Sequence, residues 1–274
     1  MGLGRAGLLV AETNFHFKRT LEGGYESDRP WRSVSWLQGH GNQLVFKRAL
    51  SWLDSDNPLR RDRAAAVLGR LRTSGWRPDR GPRYESFRLN RQESFDAIVA
   101  ALQKESDAHT IASLVSALGH LDIEEAVPVV ARFAEHGDKE VRFSVSWTLG
   151  CYPNDRVSVQ MLEQLMDDAD RDVRDWAIFG IGVQGDADSS QLRDSFVRHL
   201  DDPFLDARIE AAAALAKRND ARVVRPLIRM LRQEGALRGL TEAARDLLGM
   251  SDDPKDWFER EYIAALESHF PEAR

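Results

Sequence analysis

The chain has 274 residues, of which 42% are hydrophobic and 30% are charged, a composition typical of a folded globular protein rather than a disordered one. Its single cysteine, Cys151, excludes an internal disulfide and a cysteine-ligated metal cluster, and the sequence has no apolar run long enough to span a bilayer. The formal net charge of −6 combines +7 over residues 1–93 with −13 over residues 94–274. We therefore expect a cytoplasmic protein whose two halves differ in charge.

Residues 1–41 are expected to form an N-terminal capping segment. They contain several aromatic residues among glycines and charged residues, namely Phe15, Phe17, Tyr25, Trp31 and Trp36. This aromatic content is too high for a free tail, because a disordered segment carries few apolar rings. We expect much of the segment to cover the open end of the helices that follow.

Residues 42–250 contain six copies of one helical pattern. A Leu-Gly type ending recurs with successive gaps of 50, 31, 32, 34 and 33 residues, at Gly69, Gly119, Gly150, Gly182, Ala216 and Gly249. In each copy an amphipathic helix and a short turn precede a second helix that is dense in Ala and aliphatic residues. The closing glycines are expected to end these second helices in the left-handed conformation. The pattern predicts an all-α protein, an α-solenoid of about six helical hairpins.

The first gap exceeds the period because of an insertion at residues 73–91, whose Gly, Pro and Arg content predicts a loop. Residues 70–91 hold seven arginines and only two acidic residues, with aromatic residues between them. The candidate contacts are Arg77, Arg80, Arg83 and Arg88. Arginine mixed with aromatics suits phosphate and base stacking. It equally suits an acidic protein, including the acidic half of a second copy, and a solvated loop with no partner is the third interpretation.

The turns "DKEVR", "DRDVR" and "DARIE", followed by "SWTLG" or "AAAALA", resemble HEAT repeats of the phycobilin-lyase-like subfamily. The resemblance covers roughly residues 42–250 and implies an α-solenoid. It does not select a function, because this family includes scaffolds, adaptors, pigment lyases and a few enzymes.

The resemblance also implies a structural role for one arginine in each repeat, seven residues before the closing Leu or Ile. These arginines are Arg61, Arg142, Arg174 and Arg208, with Ile111 and Thr241 in their place in the second and sixth repeats. In the family this arginine pairs with turn carboxylates, here Asp138, Asp170 or Asp172, and Asp202 or Asp206. The ladder of arginines is expected to link neighbouring repeats.

In each second helix, two positions lie six and two residues before the closing Leu or Ile. We call the surface that they form the inner face. The first reads Asp62, Ala112, Phe143, Asp175, Ile209 and Glu242, and the second reads Ala66, Ser116, Trp147, Phe179, Ala213 and Asp246. In HEAT-like solenoids this face lines the concave surface. Bulky apolar residues cluster in the middle repeats, with Trp176 one position aside. We expect Phe143, Trp147, Trp176, Phe179 and Ile209 to bind a partner protein, with Asp175, Asp62 and Glu242 as a polar rim.

Two other interpretations of the apolar cluster stay open. Tight curvature or the N-terminal segment could cover the rings as ordinary core. The helical register on which the inner face depends could also be wrong.

Motifs of catalysis, metal binding and phosphate binding are lacking in the sequence, so we predict no cofactor, no metal site and no enzymatic activity. The runner-up functions are nucleic-acid binding through the Arg-rich insertion and a bilin lyase or chaperone role involving Cys151. We expect Cys151 to be a half-buried residue at a helix end.

Residues 251–274 are expected to form a C-terminal capping helix. Asp253 is the predicted N-cap, Pro254 the first helical residue, and Trp257, Ile263 and Leu266 are expected to face inward.

Overall fold

The computed structural model describes residues 5–25, 27–77, 83–252 and 254–273, and these divide into two compact units, residues 1–148 and 149–274. In the first unit the helices are α1 (Arg5–Arg19), α2 (Arg29–Gly39), α3 (Gln43–Leu53), α4 (Pro58–Gly69), α5 (Arg91–Leu102), α6 (Ala108–Leu121), α7 (Ala126–Ala131) and α8 (Lys139–Gly150), whose last two residues fall in the second unit. The helices of the second unit are α9 (Arg156–Leu165), α10 (Arg171–Ile178), α11 (Ser190–His199), α12 (Leu205–Lys217), α13 (Val224–Glu234), α14 (Arg238–Leu248) and α15 (Glu259–His269). The helices from α3 to α14 form six hairpins, so the predicted all-α solenoid class is confirmed.

Short polar residues start the helices because their side chains accept the first unpaired backbone N–H groups. Asn42 caps α3 in this way, Asp107 caps α6, Asp155 caps α9 and Asp170 caps α10. Asp170 is the first residue of the turn "DRDVR", whereas Asn42, Asp107 and Asp155 were not singled out from the sequence. These four side chains fix where their helices begin.

The closing glycines have a different role from the predicted one, because only Gly249 among them has a left-handed φ, of 65°. The others lie where neighbouring second helices approach closely. A Cβ on Gly69 would lie 2.8 Å from the Ala117 Cα, and a Cβ on Gly182 would lie 2.6 Å from the Ala214 Cβ. Glycine is thus required at these positions because the helices leave no room for a side chain.

The arginine ladder links neighbouring repeats as expected. In all four, one guanidinium nitrogen donates to carbonyls of the arginine's own turn, and in Arg61, Arg174 and Arg208 other nitrogens reach an acid near the end of the first helix of the next repeat. Arg61 binds Glu105 with two hydrogen bonds of 2.6 and 2.8 Å, and Arg174 binds Asp202 with two of 2.8 and 3.0 Å. Arg208 lies 3.8 Å from Glu234. Asp202 was among the predicted partners, whereas Glu105 and Glu234 were not.

The insertion is a β-hairpin and not the predicted loop. Strands β1 (Arg72–Arg77) and β2 (Arg83–Arg88) pair antiparallel, with Trp76 opposite Tyr84. Backbone bonds fix its base, since the Gly41 N–H donates to the Arg72 carbonyl at 2.8 Å. The many glycines, prolines and arginines concealed two six-residue strands from the sequence analysis.

The N-terminal segment packs on the first repeat through a buried arginine. Arg63 is 2% exposed and donates to the carbonyls of Thr20 and Gly24 and to Asp62, at 2.9–3.1 Å. The Phe17 ring, 1% exposed, meets Trp52 edge-on at 4.8 Å. Segment residues therefore lie over part of the inner face of the first repeat.

The C-terminal helix begins later than predicted. Helix α15 starts at Glu259, and the Glu261 carboxylate accepts the Phe258 N–H at 2.9 Å. The predicted cap, Asp253, lies outside the described residues. The predicted inward residue Leu266 is fully buried, and it is joined by Tyr262, which is 1% exposed. A carboxylate inside the first turn thus supports the start of the helix at Glu259.

Candidate functional site

The predicted partner-binding residues fall in both units, and each group is described by itself. Phe143 and Trp147 lie on α8 in the first unit, and both are half-buried. The Trp147 ring meets His120 edge-on, with ring centres 4.5 Å apart. A Cβ on Gly119 would lie 2.7 Å from the Trp147 Cζ3, so the close approach of α6 holds the indole in place.

In the second unit, Trp176 and Phe179 form an aromatic pair. Their ring centres are 5.6 Å apart at an interplanar angle of 85°, which is a favourable edge-to-face arrangement. Both residues are half-buried. Phe179 begins a π-helical stretch, Phe179–Gln184, that continues α10. Because Asp175 lies four residues before Phe179 on the same helical run, its carboxylate shares the face of the aromatic pair.

Ile209 does not belong to an exposed cluster. Its side chain is only 9% exposed, and a Cβ on Gly239 would lie 2.4 Å from the Ile209 Cγ2. The missing side chain of Gly239 makes room for Ile209 to pack into the next helix. We therefore leave Ile209 out of the proposed surface.

Asp62, which was predicted to belong to the polar rim, does not lie on an exposed surface. Asp62 is 4% exposed, lies 2.9 Å from Arg63, and accepts a hydrogen bond from Ser113. Burial is the main cause that raises the pKa of its carboxyl. Asp62 is therefore a buried structural group beneath the N-terminal segment, because its ion pair and its position both exclude it from a rim.

Two acidic residues of the second unit, Asp175 and Glu210, have raised pKa values and repel each other. Burial raises the pKa of Asp175 to about 6, and the negative charges of Asp206, Asp172 and Asp202 contribute. Burial likewise raises the pKa of Glu210 to about 7, with contributions from Asp175, Asp206 and Glu242. The Oδ1 of Asp175 is buried and makes no hydrogen bond to any described residue.

Glu210 was missed by the sequence analysis because it lies outside the two inner-face positions. Its neighbour Ile209 occupies one of those positions. One feature of the sequence could have identified Glu210, namely that three consecutive second helices each carry an acidic residue, at Asp175, Glu210 and Glu242.

Glu210 makes the stability of the protein depend on pH. Its pKa is higher in the folded than in the unfolded state, so the free energy of unfolding falls as pH rises from about 4.5 toward 7. Glu210→Gln should come close to the wild type at pH 4, below the ordinary pKa of 4.5, where the glutamate is protonated in the folded chain and largely so in the unfolded chain. At pH 8 the variant should melt roughly 3–6 °C higher than the wild type. Thermal melts at both pH values test this, with exposed Glu124→Gln as control, and equal effects of Glu210→Gln at both would contradict it.

Among the four predicted basic contacts, the structure describes the side chain of Arg88 alone. Arg88 donates to the carbonyl of Gly69, the last residue of α4, at 3.0 Å. The backbones of Arg77 and Arg83 are paired in the strand register, and Arg80 lies outside the described residues. Arg88 is thus a helix-end ligand, since its guanidinium neutralises part of the α4 C-terminus.

Other chemistry was sought among the described residues. They contain no cluster of three His, Cys, Asp or Glu side chains that could hold a metal ion. The helices of the described part are too short or too polar to cross a membrane. Cys151 is exposed, so the expectation that it is half-buried was wrong.

Comparison with known proteins identifies related repeats. The profile described as HEAT repeats matches residues 95–182 and 159–249, which together cover more than half of the chain. Protein YibA of Escherichia coli strain K12 is 29% identical over 218 residues, covering 78% of this chain and 74% of YibA. The X-ray structure of E. coli YibA aligns with a TM-score of 0.70 at 21% identity, over 97% of this chain and 98% of that one. The complex of CpcE and CpcF of phycocyanin lyase from Nostoc sp. aligns with a TM-score of 0.47 at 17% identity, over 83% of this chain and 96% of that one.

Proposed function

We propose that this chain, which belongs to the HEAT-repeat family, is a non-catalytic scaffold. It binds another protein through the inner face of its second helices. HEAT repeats commonly mediate protein interactions, and long stacks of helices offer extended surfaces for them. The identity of the partner does not follow from the family, since function resides in the site rather than in the fold.

One observation carries the proposal. In the second unit the half-buried pair Trp176 and Phe179 lies beside Asp175, whose Oδ1 is buried without a hydrogen bond to any described residue. A buried polar atom without a partner is costly. Aromatic residues concentrate binding energy at protein interfaces. A partner that covers the rings and donates a hydrogen bond to Asp175 would relieve that cost.

The charges of this surface favour a cationic partner segment. The charged neighbours that contribute to the raised pKa values of Asp175 and Glu210 are all acidic, namely Asp172, Asp202, Asp206 and Glu242. Asp202 is already bound by Arg174 and Glu242 by Arg238, so the acids that a partner cation would meet are chiefly Asp172, Asp175 and Asp206. A Lys or Arg side chain from a partner would convert this repulsion into attraction. We therefore assign the partner a basic segment with apolar side chains next to its Lys or Arg residues.

The first unit offers a second contact of the same kind. Phe143 and Trp147 stand one helical turn apart on α8 and both are half-buried. We include them in the proposed binding surface as aromatic contacts of their own unit. Nucleic-acid binding is less well supported, since Arg88 binds the end of α4 and the second unit is acidic.

The test is affinity capture with the full chain, followed by isothermal titration calorimetry with the purified captured protein. Trp176→Ala/Phe179→Ala should weaken binding more than tenfold, because truncating an interface hot spot costs about 2 kcal/mol or more. Phe15→Ala is the matched control, since Phe15 is 54% exposed on α1.

A second variant separates binding from folding. Asp175→Lys places a cation among acids and should leave the fold intact, as circular dichroism would verify, while it repels a basic segment. Unchanged affinity in both the aromatic and the charge-reversal variants would rule out this surface. Loss of affinity in both, with a normal melting temperature for Asp175→Lys, is the expected result.

A further inference from the structure

A cavity in the first unit lies between helices α2, α4, α6 and α8 and has a volume of about 280 Å³. Its polar and aromatic lining residues are Trp31, Gln38, Arg70, Ser113, Ser116, His120 and Ser144. No carboxylate lines the cavity among the described residues, and the Ser113 hydroxyl already donates to the buried Asp62 carboxylate. Pockets for drug-sized molecules usually measure roughly 300–1,000 Å³. This cavity therefore suits a smaller molecule.

The surroundings of the cavity are positively charged. Arg70 lines it directly and is exposed at the end of α4. Burial lowers the pKa of Arg88 in the first place, and the positive charges of Arg72, Arg91 and Arg70 contribute. The cavity thus adjoins Arg70 and lies close to Arg88, since the positive charges of both act on the lining residue His120, and both would attract an anion.

The cavity also presents neutral hydrogen-bonding groups. Burial and the charges of Arg70 and Arg88 lower the pKa of His120 to about 4, so its imidazole is neutral near pH 7 and can donate through one nitrogen. The hydroxyls of Ser116 and Ser144 add two more donors to the lining. One cation and several neutral donors around a small volume match the needs of an oxyanion.

We propose that this cavity binds a small organic oxyanion, a carboxylate or a phosphate ester, with Arg70 as the cationic ligand. The hydroxyls of Ser116 and Ser144 and the His120 imidazole donate hydrogen bonds to the same anionic group, and Trp31 flanks its organic part. The inference rests on a cationic ligand, Arg70, that is not part of the proposed protein-binding surface. The cavity borders that surface, since Ser116 belongs to the inner face and the His120 ring contacts Trp147.

The test is a nuclear magnetic resonance titration of the ¹⁵N-labelled full chain at constant ionic strength, with inorganic phosphate in one arm and succinate in the other. Saturable shifts confined to the amides of Arg70 and residues 112–120 are the expected result. Arg70→Gln should weaken binding at least about tenfold, as the loss of a hydrogen bond to a charged group implies. Arg132→Gln, an exposed arginine of the same unit, is the matched control and should bind as the wild type does.

Saturation by phosphate alone would assign the site to phosphate esters, and saturation by succinate alone would assign it to carboxylates. Ser144→Ala supplies a second variant inside the cavity and should also weaken binding. Shifts that do not saturate with either probe, or shifts that Arg70→Gln leaves unchanged, would overturn the proposal.

Discussion

Replacing Arg218 with methionine should destabilise the second unit by about 3–5 kcal/mol and lower its melting temperature by roughly 10 °C. Arg218 is 9% exposed, and its guanidinium lies over the Phe196 ring at 5.0 Å. It donates six hydrogen bonds of 2.7–3.4 Å to five backbone carbonyls, those of Ile181, Gly182, Gly185, Ala187 and Ala214.

These carbonyls explain the size of the expected effect. Several belong to the π-helical stretch and the loop that follows it, where the regular α-helical hydrogen-bond pattern is interrupted. Methionine would fill much of the same volume but would leave buried acceptors without donors, and each such group is costly.

The control for this prediction is Arg229→Met. Arg229 forms an exposed ion pair with Asp201 at 2.8 Å, and such surface pairs contribute less than about 1 kcal/mol. Denaturant unfolding followed by circular dichroism compares the two variants. Equal small losses from Arg218→Met and Arg229→Met would contradict the assigned role of Arg218.

Gly69→Ala is expected to destabilise the first unit by about 1–3 kcal/mol, although alanine favours helix formation by about 1 kcal/mol over glycine. The new Cβ would lie 2.8 Å from the Ala117 Cα and 2.9 Å from the Ala117 Cβ. Because the obstacle includes backbone, no side-chain rotation can relieve the clash, and α4 and α6 would have to separate.

Gly39→Ala provides the matched control, since Gly39 is also the last residue of its helix and a Cβ there would meet no atom within 4 Å. It should leave the melting temperature unchanged or slightly raised. A stabilising effect of Gly69→Ala would show that close helix contact is not what requires glycine there.

Local patterns in the sequence predicted the repeats well because each copy carries its own start and end signals. The short turns, the amphipathic first helices and the Ala-rich second helices are recognisable from the sequence alone. The structure confirms six hairpins and ladder contacts such as that between Arg174 and Asp202.

Features that depend on neighbouring helices could not be predicted in the same way. Ile209 is buried because the next repeat has Gly239 opposite it, and Asp62 is buried because the N-terminal segment supplies carbonyls to Arg63. The raised pKa of Glu210 likewise arises mainly from burial, with contributions from acids that include Asp175 and Glu242 on neighbouring helices. Each of these results from tertiary packing and not from local periodicity.

The most direct test of the proposed scaffold function is site-specific photo-crosslinking within cells of the organism that encodes the chain. A benzophenone amino acid at position 179 would report what contacts the aromatic pair, and the same group at position 15, on the exposed face of α1, would report random encounters. The account predicts a discrete protein adduct at position 179 that is missing at position 15 and is lost when Asp175→Lys is added. No specific adduct at position 179, or the same adducts at both positions, would contradict it.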